Sequence, residues 1–240
     1  MTESIGMVRE GAVATITIDR PAEGNVLTID MLRALTANIR SAGATDAKVI
    51  VIRSTGADFC RGREAKGAPA NPTALVMRDQ VLQPILDAYD AINGAPQPVV
   101  CVVQGAAHGF GCAVAAACDV TIAADVATFK LPEMQHNLPP TLAISALLPK
   151  VPRKAIAWMV YALAEIDAKT ALALGIVSAV VPVAKLDAAV SEALATMTSR
   201  STAALVAVKD YLRSAPLMEP RGAAAYGVSL LAGVLTSAGH

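Results

Sequence analysis

Apolar residues alternate with small or polar ones over residues 13–19 (Val-Ala-Thr-Ile-Thr-Ile-Asp), directly after a Glu10-Gly11 turn signal. A period of two predicts a strand, and the turn before it predicts an opening hairpin. The period then changes. Met31, Leu32, Leu35 and Ile39 recur at helical spacing behind Thr28, a residue type suited to a helix N-cap, and Gly43 ends the pattern. Residues 49–52, Val-Ile-Val-Ile, are apolar on both faces, as a strand covered by helices on each side of a parallel sheet requires. The alternation repeats with a helix over about 72–93, a Gly94-Ala95-Pro96 break, a strand over 99–103, a helix of small residues over 109–117 and a strand over 120–123. Beyond Leu131 the pattern is helical, over 141–148, 153–163, 168–174, 184–199, 202–213 and 221–235, with one short strand near 177–181. Strands alternating with helices, then helices alone, predict an α/β core followed by a helical C-terminal region available to a neighbouring subunit.

Composition narrows the picture. With 240 residues, 54% apolar and only 3% aromatic, the chain can bury a full core of close-packed aliphatic side chains. Twenty basic residues balance twenty acidic ones without a Lys or Arg run, so nucleic acid is not an expected partner. Residues 99–118 and 222–239 are apolar enough to invite a membrane reading. The first is interrupted by Gln104, His108 and glycines, and the second is rich in Gly, Ala and Ser and barely long enough, so both read as buried helix or subunit contact rather than membrane spans. Cys60, Cys101, Cys112 and Cys118 show no CxxC spacing, and no basic-then-apolar leader opens the chain; free thiols in a cytoplasmic protein are expected.

Two glycine-containing turns carry the candidate chemistry. Asp58-Phe59-Cys60-Arg61-Gly62-Arg63-Glu64 lies shortly after a buried strand, and Gln104-Gly105-Ala106-Ala107-His108-Gly109-Phe110-Gly111-Cys112 runs into a helix start. Glycines let the backbone approach a ligand, and the free N–H groups of a helix start attract negative charge. The third glycine of a GxGxxG dinucleotide loop is absent after Gly109-Phe110-Gly111, and no GxSxG elbow occurs.

This pair of segments resembles the two oxyanion loops of the crotonase (enoyl-CoA hydratase/isomerase) superfamily, the second usually written Asn-Gly-x-x-x-Gly-Gly-Gly. Residues 12–21 with Asn25 resemble that family's opening strand and Asn-Arg-Pro turn, with Asp19 in place of the Asn. Residues 118–123 resemble its Cys-Asp strand, 129–133 its Phe-Gly-x-Pro-Glu segment, and 168–182 its Ala-x-x-Leu-Gly-x-Val helix and strand. The matches run in family order over nearly the whole chain.

The resemblance implies an α/β, ClpP/crotonase-like spiral of β-β-α units with a helical C-terminal trimerisation region. Residues 1–182 would form the core carrying the acyl-CoA site, and residues 183–240 the helices at a subunit interface of a homotrimer or dimer of trimers. By position, the backbone N–H groups of Arg63 and Phe110 become the oxyanion donors, and Glu133 the acid/base group. Ala113 stands where a typical hydratase has its other glutamate, so two-carboxylate hydration is not expected. One carboxylate suffices to shift a double bond, or in principle to hydrate one. Pro139-Pro140 replaces helix-start glycines and predicts a bulkier acyl wall at Pro140. His108 and His136 are candidate auxiliaries to proton transfer, or else hydrogen-bonded pocket or core histidines. Lys66 is a candidate for the CoA phosphates, and the Arg61 or Arg63 guanidinium for a substrate carboxylate or for solvent. No metal and no cofactor are expected beyond coenzyme A as part of the substrate. The implied activity is that of an isomerase or lyase of fatty acid metabolism. Decarboxylase or thioesterase chemistry on the same hole, or a non-catalytic acyl-CoA-binding subunit, are the alternatives.

Overall fold

The computed structural model describes residues 4–64 and 70–237. Strands β1 (Ile5–Glu10) and β2 (Val13–Ile18) form the antiparallel opening hairpin. Helix α1 (Ile29–Gly43) starts where the Thr28 hydroxyl accepts a hydrogen bond from the Met31 N–H at 3.2 Å, and it buries the Met31, Leu32, Leu35, Ile39 stripe. After β3 (Val49–Ser54) the chain forms a helical turn, α2 (Ala74–Val76), a π-helical segment at Met77–Leu82, and α3 (Gln83–Gly94). The uniform helix predicted over 72–93 is therefore interrupted by a widened stretch that hydrophobic spacing alone does not announce.

The chain continues through β4 (Val99–Val103), β5 (Ala106–His108), α4 (Phe110–Ala117), β6 (Val120–Ala124), β7 (Thr128–Lys130) and a 3-10 turn at Glu133–His136. Then follow α5 (Thr141–Leu147), α6 (Arg153–Tyr161), β8 (Ile166–Asp167), α7 (Ala168–Leu174), β9 (Ala179–Val181), α8 (Leu186–Thr198), α9 (Thr202–Ser214) and α10 (Pro220–Ser237).

The main sheet has the order β1-β2-β3-β4-β6-β9, and every pairing after the hairpin is parallel. Helices on both faces explain the β-branched runs. Ile50, Ile52, Cys101 and Val103 face α1, α3 and α4, while Val49, Val51, Val100 and Val102 face Leu186 and Val190 of α8. A second sheet, β5-β7-β8, was not predicted from the pattern; its strands are two or three residues long, too short for a period to register.

Helix α9 is tied to this core through Lys209, whose ammonium donates to the Ile92 and Gln97 carbonyls at 2.8 and 3.0 Å and pairs with Asp119 at 2.8 Å. Helix α10 packs on α9 with Tyr226 stacked against Tyr211. Among the described residues, no helix is long and apolar enough to cross a membrane.

Candidate active site

Because β3 and β4 are parallel neighbours, the loops that follow them leave the sheet at the same edge. Buried polar side chains then fix the first loop. Asn25 donates through Nδ2 to the Thr55 and Asp58 carbonyls, both at 2.8 Å, and its Oδ1 accepts from the Arg20 N–H at 2.9 Å. Gln104 adds a hydrogen bond from Nε2 to the Asp58 carbonyl at 2.9 Å, and the Asp58 carboxylate accepts from the Ala106 N–H at 3.1 Å. Main-chain bonds lace the loops together: the Cys60 N–H donates to the Ala106 carbonyl at 3.0 Å and the His108 N–H to the Cys60 carbonyl at 2.9 Å.

Residue 63 sits in a parallel bridge with Leu27. In such a bridge the flanking residues do the bonding: the Gly62 carbonyl accepts from the Leu27 N–H at 3.1 Å, and the Glu64 N–H donates to the Leu27 carbonyl at 2.9 Å. The N–H of Arg63 itself is thereby turned away from Leu27, and it has no main-chain acceptor among the described residues. Gly62 makes this path possible at φ 126°, a conformation that side chains rarely adopt.

Phe110 is the first residue of α4. The N–H of Gly109 just before it is used, donating to the Lys130 carbonyl at 2.8 Å, whereas that of Phe110 finds no main-chain acceptor among the described residues, as expected in a helix's first turn. The two unspent amides thus belong to two loops held in direct contact, since a Cβ on Gly62 would lie 3.8 Å from the His108 carbonyl oxygen.

The 3-10 turn after Leu131-Pro132 places Glu133 against the second loop, with Oε1 only 3.1 Å from where a Cβ on Gly109 would stand. Its Oε2 is buried and has no hydrogen-bond partner among the described residues. Burial lifts the carboxyl above its ordinary range, opposed by the Glu133 backbone hydrogen bond and by the charge of Arg63. Ala113, one turn into α4, is fully buried and brings no second carboxylate.

The remaining candidates separate. His108 points to the small sheet, with Nε2 3.1 Å from the Thr128 hydroxyl and 3.3 Å from Glu165. His136 is not buried with Glu133: it ends the same turn exposed, although a 3-10 helix brings side chains three residues apart onto one face. Pro140 is buried at the N-terminus of α5. Arg61 is exposed and pairs with Asp58 at 3.5 Å. Lys66 lies outside the described residues.

The family model described as "Enoyl-CoA hydratase/isomerase" matches residues 8–226. The chain belongs to the enoyl-CoA hydratase/isomerase family. A solved enoyl-CoA hydratase of Mycobacterium smegmatis superposes with a TM-score of 0.92 at 26% identity, covering 97% of this chain and 91% of that one. Human enoyl Coenzyme A hydratase domain-containing protein 3 gives a TM-score of 0.92 at 25% identity, covering 98% and 92%. The architecture is therefore crotonase-like, with mixed sheets and C-terminal helices.

By sequence, the mitochondrial enoyl-CoA hydratase domain-containing protein 3 of Rattus norvegicus is 33% identical over 108 residues, 45% of this chain and 36% of that protein. The match to the protein named probable enoyl-CoA hydratase echA8 of Mycobacterium tuberculosis is 34% over 139 residues, 57% of this chain and 53% of that protein. The matched region thus spans about a third to a half of the length of these curated relatives.

One residue of this hydratase/isomerase-family site escapes sequence reasoning. Tyr89 of α3 is buried and stacks on Phe110 with ring centroids 5.6 Å apart and planes 18° apart, so it braces the residue that opens α4. Its hydroxyl has no hydrogen-bond partner among the described residues, and Glu133 and Arg63 both lie near enough for their charges to act on it. A tyrosine in mid-helix reads as ordinary core, and no motif marks it.

Proposed function

We propose that the chain is an enzyme acting on an acyl-CoA thioester through an enolate held by the backbone N–H groups of Arg63 and Phe110, with Glu133 as the single acid/base group. The observation that carries this reading is the buried Glu133 Oε2, which among the described residues lacks a partner, beside the loop whose Phe110 amide finds no main-chain acceptor among them either. A buried carboxylate oxygen without a hydrogen bond is costly, and a proton arriving from substrate would relieve it.

Glu133 takes a proton from the α-carbon of a 3-enoyl thioester, and the released electron pair delocalises onto the thioester oxygen between the two amides. Preorganised donors of this kind contribute about 3 to 4 kcal/mol each to transition-state stabilisation. The electrons return through the chain as the double bond moves into conjugation, and the same carboxyl delivers its proton to the γ-carbon. No second carboxylate is needed, which suits Ala113. Hydration through one carboxylate uses the same groups, with Glu133 activating a water and then returning the proton. Coenzyme A arrives as part of the substrate, and no other cofactor takes part. A homotrimer or dimer of trimers is the assembly we favour; exposed Val208, Leu212, Leu231 and Leu235 on α9 and α10 support a subunit contact there.

The test is exchange of α-protons with deuterated solvent for a panel of acyl-CoA thioesters. Glu133→Gln is expected to lower exchange by about 10²- to 10⁴-fold while thioester binding persists. Equal exchange in the variant removes Glu133 from the mechanism, and a wild type that binds thioesters but exchanges none of them is a binding subunit rather than an enzyme.

A further inference from the structure

The arginine that lends its amide to the proposed oxyanion hole has a side chain unlike its neighbours'. Arg20 pairs with Glu64 at 2.8 Å and approaches Glu23 at 3.6 Å, and Arg61 pairs with Asp58 at 3.5 Å. Arg63 is half-buried, yet it makes no ion pair and no side-chain hydrogen bond among the described residues. The bridge to Leu27 pins the backbone on both sides of residue 63.

Burial pulls the pKa of this guanidinium below the ordinary value, and the titratable groups in its neighbourhood are the Tyr89 phenol and the Glu133 carboxyl. Glu133 does not form an ion pair with it, and Glu133 Oε2 is itself without a partner among the described residues. The hydroxyl of Tyr89 also has hydrogen-bonding capacity to spare. A plain alkyl chain entering beside these groups would strip water from a cation and give it nothing in return. A carboxylate would give it two parallel hydrogen bonds in the geometry that a guanidinium favours.

We infer that the acyl group accepted by this site ends in a carboxylate, and that the Arg63 side chain receives it while the Arg63 amide holds the thioester oxygen. This rests on the acyl-CoA reading above. One residue then grips the acyl group at both ends, which sets its length: an arginine head reaches only a few carbon–carbon bonds from its own amide, so the substrate is a thioester of a short dicarboxylic acid. The Tyr89 hydroxyl is the natural donor to the second carboxylate oxygen.

Equilibrium binding of glutaryl-CoA, its terminal methyl ester and pentanoyl-CoA to the wild-type protein tests this. Glutaryl-CoA is expected to bind about 10- to 100-fold more tightly than the two neutral thioesters, the range spanned by hydrogen bonds to a charged group. In Arg63→Met, and in Arg63→Gln if the first variant does not fold, that ratio is expected to fall to near one. A wild-type ratio near one overturns the inference and leaves the acyl-CoA reading standing, whereas failure to bind any of the three thioesters overturns both. A variant that loses affinity for all three equally assigns Arg63 to the coenzyme A portion common to them, and that too overturns the inference.

Discussion

The carbonyl oxygen of Cys60 lies 2.2 Å from where a Cβ on Gly111 would stand, and the Cys60 Cβ lies 2.9 Å from the same point. The two loops therefore touch through the one residue of α4's first turn that has no side chain, and the first loop cannot keep its place if that residue gains one. Gly111→Ala is expected to cost about 1–3 kcal/mol in stability from overpacking. By separating the amides of residues 63 and 110 it is also expected to lower turnover by about 10²-fold, comparable to losing one oxyanion donor. Urea unfolding and α-proton exchange on the same preparation check the two effects.

Glu133 makes a pH prediction. Its carboxyl is held above the ordinary range by burial, so the folded protein binds this proton more tightly than the unfolded chain does. That contribution to stability is complete below the unfolded-state pKa and is lost as the pH rises through the raised folded-state value. Glu133→Gln removes the titration, so the wild type is expected to lose stability relative to the variant as the pH climbs through that window and to recover it on acidification. Thermal unfolding of both proteins at a series of pH values reads the difference. The acid limb of exchange activity should lie above the usual carboxylate range, because the base works only when ionised.

At the far end of α4, the Lys150 ammonium donates to the carbonyls of Ala116, Ala117 and Cys118 at 2.6, 3.2 and 2.9 Å. A cation at this end satisfies the terminal acceptors and opposes the negative pole of the helix whose positive pole faces the proposed oxyanion. Lys150→Met keeps most of the stem's volume and removes the head. It is expected to cost about 1–3 kcal/mol, the penalty of stranding buried acceptors, measured by the midpoint of urea unfolding.

The frame was legible where one force dominates over several residues. The Val49-Ile50-Val51-Ile52 run reads as a doubly covered strand because both faces of β3 are buried, and Thr28 reads as a cap because its hydroxyl has one local partner to satisfy. The small sheet was not legible, since pairing Ala106 with Thr128 and Phe129 with Ile166 is settled by tertiary contact and leaves no period in strands this short. The placement of Glu133 beside the second loop follows a motif. The brace by Tyr89, the exposure of His136 and the lack of an ion pair to Arg63 among the described residues are facts of packing between elements far apart in the chain, and no local pattern encodes them.

Ala113 bears on which reaction the site favours. It lies in the all-buried helix α4, two residues after Gly111 and close in the chain to Cys112, whose thiol burial pushes up to about 12 with the charge of Glu133 adding to the effect. A methyl group there cannot orient water, so the wild type is expected to shift double bonds faster than it adds water to a 2-enoyl thioester. Ala113→Glu supplies a carboxylate on the helix that begins at Phe110, the helix whose preceding residue, Gly109, lies against Glu133. Water addition is expected to rise relative to double-bond shift, at a cost of about 1–3 kcal/mol in stability for the added bulk. Loss of absorbance by a 2-enoyl thioester measures hydration directly. A folded variant whose ratio of hydration to isomerisation matches the wild type's would mean that the walls around the β-carbon leave no room for water whatever carboxylates are present.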